Sequence, residues 1–146
     1  MEFTIQPMIP DHRETVLAMM RTFYASPAVL SNGSEAIFAA DIDACVSGSP
    51  YLEGYVFRNG ETVIGYGMAA KSFSTEFGKP CIWIEDLYIR PEFRGQGIGS
   101  RFLAFMVEKY PHAILRLEVE QENERAIAVY EKSGFEVLPY MEMKRE

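Results

Sequence analysis

Three glycines in five residues, Gly95, Gly97 and Gly99, separate a strand-like run from a helix-like one. The run before them, Cys81 to Ile89, is apolar and short. The run after them, Ser100 to Tyr110, places Phe102, Leu103, Phe105, Met106 and Tyr110 at helical spacing. The chain must therefore turn tightly from strand to helix here. Glycine lets the backbone of such a turn approach a ligand, and the helix start offers N–H groups with no intrahelical partner. That combination suits a phosphate or pyrophosphate. Two common phosphate loops are excluded by spacing. A Walker loop ends in Gly-Lys-Ser/Thr, where this chain has Gly99-Ser100-Arg101, and the dinucleotide fingerprint needs G-x-G-x-x-G.

The rest of the chain reads as elements around that turn. Glu2 to Pro7 alternates and predicts a strand. Pro10-Asp11 opens a helix with Val16, Leu17, Met19, Met20, Phe23 and Tyr24, which stops before Pro27. After a loop at Ser31 to Ser34, with Ser34 as N-cap, a second helix puts Ile37, Phe38, Ile42 and Val46 on its apolar side. Tyr51 to Arg58 and Glu61 to Ala70 flank Asn59-Gly60, a strong hairpin signal because both positions tolerate positive φ. The second arm extends to about Ser72, and Ser74 to Pro80 turns into the strand before the glycines. A strand over Ala113–Val119, a helix over Asn123–Ser133 closed by Gly134 at C′, and a last strand over Phe135–Met143 follow. The order predicts an α+β or α/β fold, a mixed sheet flanked by helices.

Residues 1–146 are expected to form a single domain, and 48% hydrophobic composition supplies a full core without staples. No apolar run is long enough for a membrane span, and residues 1–4 lack the character of a signal peptide, so no membrane and a cytoplasmic location are expected. Cys45 and Cys81 are far apart and lack metal-ligand spacing; they read as buried apolar groups, and no metal is expected. The net charge of −7 and the absence of a basic patch argue against nucleic acid. An acidic surface draws cations weakly, and solubility is its commoner meaning.

With Arg94 included the loop reads R-x-x-G-x-G. It resembles the acetyl-CoA pyrophosphate loop of the GNAT acetyltransferase superfamily. A second stretch, Asn123 to Phe135, reads N-x-x-A-x-x-x-Y-x-x-x-G-F and looks like the second signature of that superfamily. Asn123, Ala126 and Tyr130 share one helix face, where ordinary roles would be N-cap, close packing and core aromatic. A looser resemblance, to the diamine (spermidine/spermine) acetyltransferases, rests on Ile84 to Ile89 with Pro91 to Arg94. The aromatic loop of those enzymes is represented here by Thr75-Glu76-Phe77.

The resemblance implies direct transfer of acetyl from acetyl-CoA to an amine. It assigns cofactor binding to Arg94, Gly95, Gln96, Gly97, Ile98, Gly99 and Ser100. The open backbone edge of Leu87, Tyr88 and Ile89 is assigned to the pantetheine, with the Leu87 N–H on the thioester carbonyl and Asn123 on the cofactor backbone. Tyr130 is the candidate acid, since a phenol is protonated at neutral pH. Glu85, expected between Trp83 and Leu87 on one strand face, is the candidate base. Asp86 points the other way in a regular strand and is a candidate contact for a cationic substrate, unless a β-bulge re-aims one of the pair. Glu76 and Phe77 would stand at the mouth. His12 and His112 have no motif partner and read as solvent-exposed. The expected substrate is a small-molecule amine, polyamine-like in charge. The alternatives are a protein N-terminus or lysine as acceptor, or a non-catalytic acyl-CoA sensor. Edge strands at the C-terminal end would suit a homodimer.

Overall fold

The computed structural model describes residues 2–146. Strand β1 (Thr4–Pro7) leads through a short 3-10 turn into α1 (Arg13–Tyr24) and α2 (Glu35–Val46). Strands β2 (Leu52–Asn59), β3 (Thr62–Ser74) and β4 (Lys79–Ile89) form a meander. Then come α3 (Ile98–Lys109), β5 (Ile114–Leu117) and α4 (Glu124–Lys132). The sheet order is β1-β2-β3-β4-β5, antiparallel except for the parallel pair β4–β5. The mixed sheet flanked by helices is the one expected. The Asn59-Gly60 hairpin is present, with Gly60 at φ +61°, and Ser34 caps α2 by accepting from the Ile37 N–H. Ile37 itself stays half exposed and does not join the apolar side of α2.

Alternation along the strands sends side chains to two cores. On one face Phe57, Ile64, Ile82 and Ile84 pack against Ile98, Phe102, Leu103 and Met106 of α3. On the other, Val56, Tyr66, Met68 and Tyr88 pack against Val16, Met19 and Met20 of α1 and Phe38 and Ile42 of α2. Gly67 makes room for α3: a Cβ there would lie 2.6 Å from the Phe102 ring. Removing a ring as buried as Phe102 costs about 3–5 kcal/mol.

A register shift in β4 positions the site. Ile84 pairs with Ala69 and Asp86 pairs with Met68, so Glu85 has no partner across the ladder. This is the β-bulge that the resemblance implied. Without it Ile84 and Asp86 would share a face. With it Leu87 and Ile89 rejoin Ile84 on the α3 side, and Asp86 and Tyr88 turn toward α1. The expected placing of Glu85 with Leu87 on one regular face is corrected accordingly.

The end of the chain departs from expectation. Phe135 to Met143 does not form a strand; residues 135–146 have no helix or strand. Pro139 has no N–H to offer a ladder, and Val137, Met141 and Met143 remain more than four-fifths exposed, so pairing here gains no burial. Strand β5 is also shorter than expected and is left at the sheet edge.

Candidate active site

Strands β4 and β5 are paired only from Cys81 to Ile84. Beyond Ile84 they part, and the bulge at Glu85 marks the point of separation. The opening is a cleft of about 1050 Å³. Its walls are Glu85 and Leu87 to Ile89 of β4, Leu117 to Glu120 from the end of β5 onward, Asn123 at the cap of α4, Ala126, Val129 and Tyr130 within it, and Ser26 to Ser31 of the α1–α2 loop. Its floor is the glycine loop. Leu87, Tyr88 and Ile89 pair with β3 along one edge; the other edge faces the cleft.

Gly95 and Gly97 adopt φ +78° and +79°, a region costly for any residue with a side chain. Gly97 is the N-cap of α3, no side chain caps that end, and no acidic residue sits in the first turn. A Cβ on Gly97 would meet nothing within 4 Å, so the space above the helix start is open. Unpartnered N–H groups, open space and the positive end of a helix dipole together fit a pyrophosphate. Of the predicted loop residues, Arg94, Gly95, Gly97, Ile98, Gly99 and Ser100 line the cleft, while Gln96 is exposed outside it. Arg94 folds back on β4: its Nε donates to the Ile89 carbonyl at 2.8 Å, and its guanidinium lies 5.5 Å from the Tyr88 ring centroid. A cation that sequence reasoning missed, Arg125, leans over the loop, with Nη2 3.4 Å from the Cβ position of Gly95. The signal was available: a cation in the first turn of α4 opposes the helix dipole unless an anion is near.

Tyr130 lines the cleft with its ring edge-on to Phe135 at 6.1 Å. Burial raises its pKa, so the phenol holds its proton throughout the neutral range. Among the described residues its hydroxyl has no hydrogen-bond partner. Glu85 opens onto the cleft, and partial desolvation followed by the nearby Asp86 charge holds its carboxyl above the usual range. Glu118, which sequence reasoning also missed, is raised to about 7, first by a hydrogen bond with Glu142 and then by desolvation. Nothing in the sequence links these two residues; only the path of the tail brings Glu142 beside Glu118 and Glu85.

Asp86 does not face the cleft. It is 4% exposed, and both carboxylate oxygens are occupied: Oδ1 accepts from Tyr24 at 2.9 Å and Oδ2 from Tyr66 at 2.7 Å. The bulge, which turns Asp86 inward toward α1, is the reason that expectation fails. Asn123 has its ordinary role, its Oδ1 capping α4 at the Ala126 N–H, and also lines the cleft. A second groove of about 1170 Å³ runs beneath the tail from Phe77 and Trp83 and meets the first at Glu85, Glu118 and Tyr130. Phe77 thus shares a wall with Glu85, whereas Glu76 accepts from the Tyr140 hydroxyl at 2.6 Å.

A mixed sheet splayed beside a glycine-rich helix start, with a tyrosine on the following helix, is the arrangement that the acetyltransferase resemblance implied. The model of the Acetyltransferase (GNAT) family matches residues 17–135, and the chain belongs to that family. A thialysine N-epsilon-acetyltransferase of Bos taurus is 40% identical over 82 residues, covering 54% of this chain and 48% of the relative. The corresponding protein of Caenorhabditis elegans is 30% identical over 135 residues, covering 88% of this chain and 80% of the relative. The match thus spans about half the length of the Bos taurus relative. Among solved structures, a possible acetyltransferase from Clostridium difficile 630 superposes with a TM-score of 0.82 at 19% identity, over 99% of this chain and 97% of that one. An aminoglycoside N-acetyltransferase in complex with CoA gives 0.78 at 17% identity, over 99% and 95%. These two likenesses establish the fold. No helix among the described residues is long and apolar enough to cross a membrane.

Proposed function

We propose that the protein is an acetyl-CoA-dependent N-acetyltransferase that acts on a primary amine, with small polyamine-like cations as its preferred class. One observation carries the reading: the parting of β4 and β5 brings the free edge of Leu87–Ile89, the uncapped start of α3, Glu85 and Tyr130 onto a single cleft. Acetyl-CoA supplies an activated acetyl group as a thioester. The backbone N–H groups of the Arg94–Ser100 loop hold its pyrophosphate, with Arg125 beside them. The edge of Leu87–Ile89 receives its amides, and the Leu87 N–H is assigned to the carbonyl oxygen, a role worth about 3 kcal/mol.

Two proton tasks fall to side chains. The amine must lose a proton before it attacks, and Glu85, with its raised pKa, takes it directly or through water. The departing thiolate needs one, and Tyr130 is the donor on the facing helix. Relatives named for an N-epsilon acceptor support a primary amine. Carboxylates of Glu85, Glu118 and Glu142 around the junction of the grooves support a cationic one.

A protein N-terminus is the second reading, favoured by 28% identity over 89 residues to N-alpha-acetyltransferase RimI of Mycobacterium tuberculosis. A cytoplasmic location and a homodimer that uses the β5 edge belong to the proposal, on the sequence arguments given above. The test is thiol release from acetyl-CoA with a panel of diamines, amino acids and peptides. Turnover only with peptides moves the assignment to the second reading. Acetyl-CoA binding without turnover on any amine makes the protein a sensor.

A further inference from the structure

The Tyr24–Asp86 hydrogen bond fixes the polarity of one wall of the cleft. Tyr24 is the last residue of α1 and lines the cleft beside Glu85, whose charge it feels. Its hydroxyl has one proton, and that proton is given to Asp86 Oδ1 at 2.9 Å. Asp86 is sealed from solvent and receives a second such bond from Tyr66, which is fully buried and lines neither groove. A phenol whose proton is committed behind it presents only lone pairs in front. We propose that Asp86 is a positioning residue that acts through Tyr24, making the Tyr24 oxygen an acceptor-only contact that binds and orients an N–H of the incoming amine. The inference deepens the acetyltransferase reading and rests on it. It also gives Asp86 a use in the reaction that does not require it to touch substrate.

The geometry fits the need. A primary ammonium carries three N–H donors. Glu85 can take one, and a neutral acceptor at Tyr24 takes another without adding to the negative charge of Glu85, Asp86 and Asp41 that already reaches the phenol. The phenol keeps its proton, because burial and the Asp86 charge both oppose ionisation.

Two single-atom variants separate this role from a structural one. Tyr24→Phe and Tyr66→Phe each remove one hydrogen bond to the same carboxylate, and only the first alters a residue that lines the cleft. Tyr24→Phe is expected to raise the KM for a diamine about ten-fold, with kcat at saturation and the KM for acetyl-CoA within two-fold of the unaltered protein. Tyr66→Phe is expected to lower Tm and leave the diamine KM within two-fold. Asp86→Asn should raise the diamine KM, and adding it to Tyr24→Phe should raise it no further, because both act on one contact. The inference is overturned if Tyr24→Phe leaves the diamine KM unchanged, if Tyr66→Phe raises it equally, or if the two effects in the double variant multiply. Absence of turnover in the unaltered protein overturns the acetyltransferase reading as well, which distinguishes the two failures.

Discussion

The Glu118 carboxyl, just past the edge strand β5, lies beside the Glu142 carboxyl of the C-terminal tail. Two carboxyls so placed repel each other when ionised, and Glu118 is accordingly raised to about 7. Asp41 is raised to about 6 by burial and by Asp86, and Glu85 is raised as well. Raised carboxyls bind more protons folded than unfolded. The stability they contribute is therefore complete below their unfolded values and is lost as pH rises through their folded ones. Tm should fall between about pH 5 and 7.5. Glu142→Gln should flatten the upper part of that fall, since Glu118 then faces no second carboxylate from the tail. A scan of Tm against pH for both proteins checks this; a rise of Tm across the interval would contradict it.

Acetyl-CoA should stabilise the fold by mass action through the glycine loop. Gly97→Asp should abolish the thermal shift. It places a carboxylate where an anion belongs and puts a side chain on a backbone at φ +79°. Circular dichroism shows whether the fold survives; an intact fold with the full shift would remove the loop from the binding site.

Tyr130→Phe keeps the ring against Phe135 and deletes the hydroxyl. The expected result is a kcat lower by roughly ten-fold or more, with acetyl-CoA affinity nearly unchanged. Turnover at the original rate would make Tyr130 a packing residue.

For the acceptor, amines with a second positive charge should be preferred over an amino acid of similar length. Added salt should raise the KM of the diamine more than that of a monoamine, because screening weakens its extra charge pairing. Competition assays at low and high salt decide it. Preference for the amino acid at both would reject the diamine class and leave the donor site standing.

Gly65→Ala should destabilise the protein by about 1–3 kcal/mol. A Cβ at Gly65 would sit 2.4 Å from the Tyr88 carbonyl oxygen, so β3 and the cleft-lining end of β4 must move apart. Urea unfolding measures the loss, and an unchanged midpoint would show that the two strands have slack.

The glycine loop, the helix after it, the hairpin at Asn59-Gly60 and the capped α4 with Tyr130 were legible in the chain itself. Each depends on short-range chemistry: positive φ at glycine, an Asn or Ser cap, apolar residues at a fixed period. The aim of adjacent side chains in β4 was not legible. Glu85 and Asp86 are neighbours, and whether either faces the cleft depends on one extra residue in the ladder with β3, a decision made by a pairing partner distant in sequence. Phe135 to Met143 reads as a strand, yet a strand exists only where another edge accepts it, and Pro139 interrupts the donors. The approach of Glu142 to Glu118 is likewise a product of packing. The sequence by itself pointed to an anionic ligand at the glycine loop, because phosphate recognition is written in local backbone freedom. Tertiary structure decided which acids face the cleft, because burial and register are properties of the whole sheet.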